Sequence, residues 1–269
     1  MRWSVLFFVG CGSPIDQRDV TPWADVSCDH LFGAPGPNTG LGDDECKPEV
    51  TAGDEVWSVP AYTAGDIAEL RDWTWVDPPA PLEVDPYTEP DAWPLDESSV
   101  CGLTVVDEEA RTYRLDTFAS QEAAWEAGAR VTHGGACGLC SSLEDLAVYI
   151  EQPDLTTPVR QCGVQNLGQP PLATVPCLQE LGFTESCAQI WAYNVAHTAG
   201  VCTDICFSLL SATYHDDSGA PNDCIQCDED NSGPVFKAAS GRTRRNSGLP
   251  TSLCRSCDAV WRIDHRLAE

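Results

Sequence analysis

Lysine is nearly missing from this chain: Lys47 and Lys237 are the only two among 269 residues. Positive charge of any kind is scarce, with 15 Lys+Arg against 42 Asp+Glu and a formal net charge of -27. A surface that acidic repels phosphodiester backbones and anionic headgroups. It excludes nucleic acid as a partner and suits cationic partners and divalent metals better. Long apolar runs are also lacking. No stretch approaches the ~20 apolar residues of a membrane span, so attachment to a bilayer would need another device. The chain contains no Walker loop, His-Glu-x-x-His helix, dinucleotide fingerprint or Gly-x-Ser-x-Gly elbow, which removes the signatures of those chemistries.

Cysteine, by contrast, is abundant. Fifteen cysteines are too many for free thiols in a reducing cytosol and point to disulfides formed outside it. The count is odd, and the first residues account for the odd member. Met1-Arg2-Trp3 is followed by an apolar run from Ser4 to Val9 and then by Gly10-Cys11. One positive charge, a greasy segment, a small residue and a cysteine resemble a bacterial lipoprotein signal, over about eleven residues. The resemblance implies that residues 1–10 are a signal peptide and that Cys11 carries a lipid. It further implies a protein lying outside the cytoplasm in the cell envelope, held to a bacterial membrane. Setting Cys11 aside leaves fourteen cysteines, an even number that can all pair.

Residues 11–98 are rich in Asp, Glu and Pro. The run from Asp77 to Pro94 has almost no periodicity, because prolines block regular hydrogen bonding and like charges repel. The expectation is an acidic, Pro-rich extended spacer. Trp23, Trp57, Trp73, Trp75 and Trp93 imply that parts of it pack on the folded domain, and Cys28 with Cys46 could close a local loop. Residues 99–269 read as an α+β domain, mostly helical and disulfide-rich, with a small β-hairpin at its start. Val100 to Val106 and Tyr113 to Phe118 flank a turn at Asp107 and supply the hairpin. A helix over 120–128 and a strand over 129–132 follow. Ser141 and Glu144 fit a capping box for a helix with Leu143, Leu146, Ala147 and Ile150 on one face, ended by Pro153. After a Pro/Gly-rich connection, Thr184 caps a helix that breaks at Gly200, and another continues over 201–214. Cys202 and Cys206, four apart on one helix face, cannot bond each other and should staple different partners. Ser232 and Pro234 open a short helix ending near Gly241, and Pro250 opens the last. Residues 131–269 hold eleven cysteines, so Cys101 is expected to join them as the twelfth.

Four clusters could carry chemistry. Cys137-Gly138-Leu139-Cys140, between a strand and a helix, resembles the active-site corner of thioredoxin-like proteins over roughly 25 residues. The helix dipole there would stabilise a thiolate. The tryptophan that this family places before the first cysteine is missing. His133, with Asp145 to orient it, could act as base toward Cys137. Cys224, Cys227, Cys254 and Cys257 have the two-knuckle pattern of a four-thiolate zinc site. Asp228, Asp230 and Ser232, with Gly233 after them, match the first half of a calcium loop, although Ala239 stands where the bidentate Glu belongs. Arg242, Arg244, Arg245 and Asn246 concentrate donors that could hold an anion. The leading expectation is therefore a lipid-anchored binding or structural module without a cofactor, its partner a protein or a small anionic ligand. One alternative is an extracytoplasmic thiol-disulfide oxidoreductase using Cys137 and Cys140. The other is a module that binds Zn or Ca.

Overall fold

The computed structural model describes residues 28–52 and 55–267, so Cys11 and the signal-like start lie outside the described residues. Short strands come first among the described residues. β1 (Leu31–Phe32) pairs in parallel with β2 (Cys46–Lys47), and β3 (Glu49–Ala52) forms an antiparallel hairpin with β4 (Glu55–Ser58). Helix α1 (Ala64–Arg71) is started by a reciprocal cap, in which the Asp66 amide donates to Thr63 Oγ1 and the Thr63 amide donates to the Asp66 carboxylate. After β5 (Thr74–Trp75) comes the predicted hairpin, β6 (Val100–Asp107) and β7 (Thr112–Phe118). Helix α2 (Gln121–Glu126), capped by Ser120, leads to β8 (Arg130–Gly134). These strands form one four-stranded sheet in the order β5-β7-β6-β8.

Alternation along β6 sends its side chains to two different cores. Val100 joins Ala124, Ala129, Val131 and Ile263 on the α2 side, while Cys101 and Leu103 face the main core with Tyr113 and Leu115. That main core is closed by α3 (Leu143–Glu151) and α6 (Glu185–Val201). The predicted α3 stripe is inward, with Leu143, Leu146 and Ala147 buried. Its cap lies one residue later than expected: Ser142 accepts from the Asp145 amide at 2.9 Å. Ser141 is otherwise engaged, accepting from the Gly138 amide and meeting His133 Nε2, both at 2.8 Å. Thr184 caps α6 as expected.

The stretch before α6 is not a plain connection. It contains α4 (Thr156–Gln165) and α5 (Val175–Glu180). Helix α6 runs through Gly200, and α7 (Thr203–Ser208) stops well short of residue 214. Cys202 bonds Cys227 and Cys206 bonds Cys224, so α7 is stapled twice to one helix, α8 (Asp223–Asn231). After α9 (Gly233–Ser240), Gly241 takes φ +71°, a left-handed conformation that ends the helix. The helix expected after Pro250 does not form. Phe32 and Arg255 exchange backbone hydrogen bonds, and Cys254 and Cys257 bond Cys46 and Cys28, which draws this segment out against the first strands.

Those two bridges replace the expected local loop between Cys28 and Cys46. They also show that the described part of the acidic region is no extended spacer. Trp73, Trp75, Tyr87 and Trp93 pack on the main core, and Trp57 stacks on Phe32 with ring centroids 6.3 Å apart. The proline-rich run is a strap along α6. The Leu82 amide donates to Gln189 Oε1 at 2.6 Å, Tyr87 OH donates to Asn194 Oδ1 at 2.7 Å, and Ser186 Oγ donates to the Pro79 carbonyl at 3.2 Å. With Cys101–Cys137, Cys140–Cys187 and Cys162–Cys177, seven disulfides pair all fourteen cysteines among the described residues.

Candidate functional site

The corner that resembles a thioredoxin active site is built differently. Cys137 bonds Cys101 on β6 and Cys140 bonds Cys187 on α6, so the two cysteines are not a pair and neither is a free thiol. His133 is fully buried; Nδ1 donates to the Gly134 carbonyl at 2.9 Å and Nε2 accepts from the Ser141 hydroxyl at 2.8 Å. Burial, and secondarily the nearby Arg242 charge, push its pKa well below the ordinary value, so the ring is neutral. Asp145 serves the helices instead: it accepts from the Thr184 amide at 2.8 Å, the Thr184 hydroxyl at 2.9 Å and the Ser142 hydroxyl at 2.5 Å. Burial raises its pKa to about 6 against the pull of these donors.

The zinc candidates Cys224, Cys227, Cys254 and Cys257 are each consumed in a disulfide, which leaves no thiolate for a metal. The calcium half-loop is the helix α8. Positions two apart on a helix face different directions, and Asp228 and Asp230 do so. Asp228 is turned inward, accepting from Thr198 Oγ1 and Asn194 Nδ2, and burial raises its pKa. Asp230 is exposed and accepts from Gln226 at 2.8 Å, and Ser232 is buried against His197 and Thr198. Among the described residues no group of three or more His, Cys, Asp or Glu is placed to hold a metal ion.

The arginine cluster divides in two. Arg242 is fully buried and donates to the Thr132 and Ser141 carbonyls at 3.1 and 3.0 Å and to Ser247 Oγ at 3.1 Å. Burial lowers its pKa to about 10, so the guanidinium still carries its charge at neutral pH. Arg244 donates to the carbonyls of Tyr149, Pro250 and Gln152 and lies over the Tyr149 ring. Asn246 donates to the Gly134 and Gly241 carbonyls. These three tie loops together. Only Arg245 faces a partner it shares with other cations, Glu229 at 3.5 Å.

That contact sits in a groove of about 520 Å³ that none of the sequence motifs marked. Its walls are α4, α6, α7 and α8, and its floor is Trp191 against Phe236, ring centroids 4.5 Å apart. Val164, Leu167, Phe207 and Leu210 line it while remaining 56%, 60%, 63% and 43% exposed. Three disulfides hold the walls: Cys162–Cys177 secures α4, and two bridges secure α7 to α8. The polar side is built on Glu229. Arg255 reaches its Oε1 at 2.6 Å, while Lys237 and Arg245 share Oε2 at 2.9 and 3.5 Å. Burial acts to raise the Glu229 pKa, but Arg255 and Lys237, with Arg245, outweigh it and hold the carboxyl below its usual range. The cleft is largely apolar with a few convergent polar groups, and its volume falls inside the ~300–1,000 Å³ range of small-molecule pockets.

Residues 172–263 match the model of a family described as "Family of unknown function (DUF8771)". The matched segment carries α5 to α9 and the Glu229 cluster, whereas α4 and the four-stranded sheet precede it. No curated protein and no solved structure matches the chain.

Proposed function

We propose that the chain is an extracytoplasmic binding module, held to a bacterial membrane through a lipid on Cys11, that takes an apolar ligand into the groove between α4, α6, α7 and α8. The observation that carries this is the groove itself. Large apolar side chains stay exposed along its rim in a protein otherwise saturated with acidic residues, and a contiguous exposed apolar surface marks an interaction site. Binding is favoured over catalysis because the thiols and imidazole that could act are bridged or buried. Seven disulfides fit an oxidising compartment and also keep the groove preorganised, which lowers the ordering cost of binding. No helix among the described residues is long and apolar enough to cross a membrane, so a lipid would supply the attachment.

The test uses N-phenyl-1-naphthylamine, an uncharged fluorescent probe. Saturable binding of one probe per chain is expected, and Phe207→Asp with Leu210→Asp should abolish it without changing the melting temperature, since both side chains are exposed. Unsaturable binding, or binding indifferent to this variant, contradicts the groove as the site. Separately, Cys11→Ser should move the protein to the soluble fraction; unchanged membrane fractionation removes the anchor from the proposal.

A further inference from the structure

The charge of the groove is opposite to the charge of the protein. Arg160, Lys237, Arg244, Arg245 and Arg255 line it, five of the 15 Lys+Arg, against two of the 42 Asp+Glu, Asp228 and Glu229. Within the cluster the excess falls on two side chains. Arg255, only 13% exposed, has Glu229 Oε1 to itself, and Arg244 is spent on backbone carbonyls. Lys237 and Arg245, 28% and 34% exposed, share the single oxygen Oε2. An ammonium has three donors and a guanidinium five, so one carboxylate oxygen leaves most of their capacity unused, and three cations on the single Glu229 carboxylate leave two positive charges uncompensated. The Arg245 fork is also the geometry that takes a carboxylate through two parallel bonds.

We infer that the ligand of the groove is a single-chain amphiphile with a carboxylate head, a fatty-acid-like anion whose head meets Lys237 and Arg245 and whose chain lies along Val164, Leu167, Phe207 and Leu210. This rests on the groove being the ligand site. The acidic exterior does not oppose it, because the local excess acts at contact distance while more distant charges beyond ~8 Å are screened at physiological salt. The head group is what the cations recognise, and the chain supplies the buried apolar area.

The experiment is calorimetric titration of the full chain with dodecanoate, dodecan-1-ol and dodecyltrimethylammonium, each below its micellar concentration. Dodecanoate should bind about tenfold or more tighter than dodecan-1-ol, the gain of a charge-assisted contact, and the cationic chain should bind weakest. Lys237→Gln with Arg245→Gln should erase the difference between carboxylate and alcohol and leave the alcohol's affinity unchanged, while Arg245→Lys keeps most of it. In case the double variant does not fold, salt decides on the wild type: dodecanoate affinity should fall from low to high salt and the alcohol's should not. Equal affinity for dodecanoate and dodecan-1-ol overturns the inference while leaving the groove as a site. Failure of every chain to bind overturns the groove reading as well. A stable micromolar dimer that Phe207→Asp dissociates would give the groove to a second copy of the chain and overturn the amphiphile.

Discussion

Removing the two long-range bridges together should cost more than the sum of removing each alone. Cys28–Cys257 and Cys46–Cys254 close loops with sequence separations of 229 and 208, against 15 for Cys162–Cys177. In the chain-entropy account a loop of that length contributes about 5 kcal/mol and the short one about 3 kcal/mol. The long loops are nested, however. While Cys46–Cys254 is intact, Cys28–Cys257 closes only the eighteen residues from Cys28 to Cys46 and the three from Cys254 to Cys257, which is about 3 kcal/mol. The same holds with the roles exchanged. Replacing either pair by alanine should therefore cost about 3 kcal/mol and replacing both about 8 kcal/mol, a coupling of about 2 kcal/mol. The other five bridges shorten the long loop, but a logarithm is little affected. The assay is guanidinium unfolding without reductant on the wild type, the two double variants and the quadruple variant. Costs of about 5 kcal/mol for each pair alone, or strict additivity, would refute the nested clamp.

Two further outcomes follow from the buried polar groups. Arg242→Met leaves the Thr132 and Ser141 carbonyls and Ser247 Oγ without their donor, and at about 1–3 kcal/mol for each orphaned group it should lower stability by about 3 kcal/mol or more; a melting temperature equal to wild type would contradict this. Burial, aided by Arg242, lowers the His265 pKa to about 3. As pH falls below the unfolded value of about 6.5, the unfolded chain takes up a proton that the folded ring refuses, so stability is lost from about pH 6.5 down to about pH 3. Asp145 has the opposite sign: its raised pKa of about 6 means that its contribution is largest below the ordinary carboxylate value and is lost as pH rises through 6. His265→Gln should flatten the stability-against-pH slope between roughly pH 6 and 4 by about 1.4 kcal/mol per unit, and an unchanged slope would contradict it.

The hairpin of β6 and β7 was legible because alternation is visible along both strands, and α6 because Thr184 is a strong cap before an apolar stripe. The α3 cap slipped by one residue because two serines stand together and only the fold shows that His133 claims the first. Helices α4 and α5 were hidden by proline. Pro158 and Pro176 sit in first turns, where the amide has no helical partner to lose, so they read as breakers yet start helices. The acidic strap read as a spacer because its bonds to α6 cross more than a hundred residues of sequence. Half of α8 read as a calcium loop because its oxygens were counted along the chain and not around a helix. The groove was beyond reach for the same reasons, since its walls include α4 and α8. Sequence flagged the basic patch, but only the fold separates Arg242 and Arg244, bound to carbonyls, from Arg245, open to the groove.

The bridge pattern matters most, since it suits an extracytoplasmic compartment, removes the redox and zinc chemistry and braces the groove. Intact mass after alkylation in denaturant, without and then with reduction, tests it directly. The difference between the two should be fourteen adducts, with Cys11 acylated or contributing one adduct in both states. Fewer than fourteen new adducts, or a native mass that loses zinc on denaturation, would contradict it.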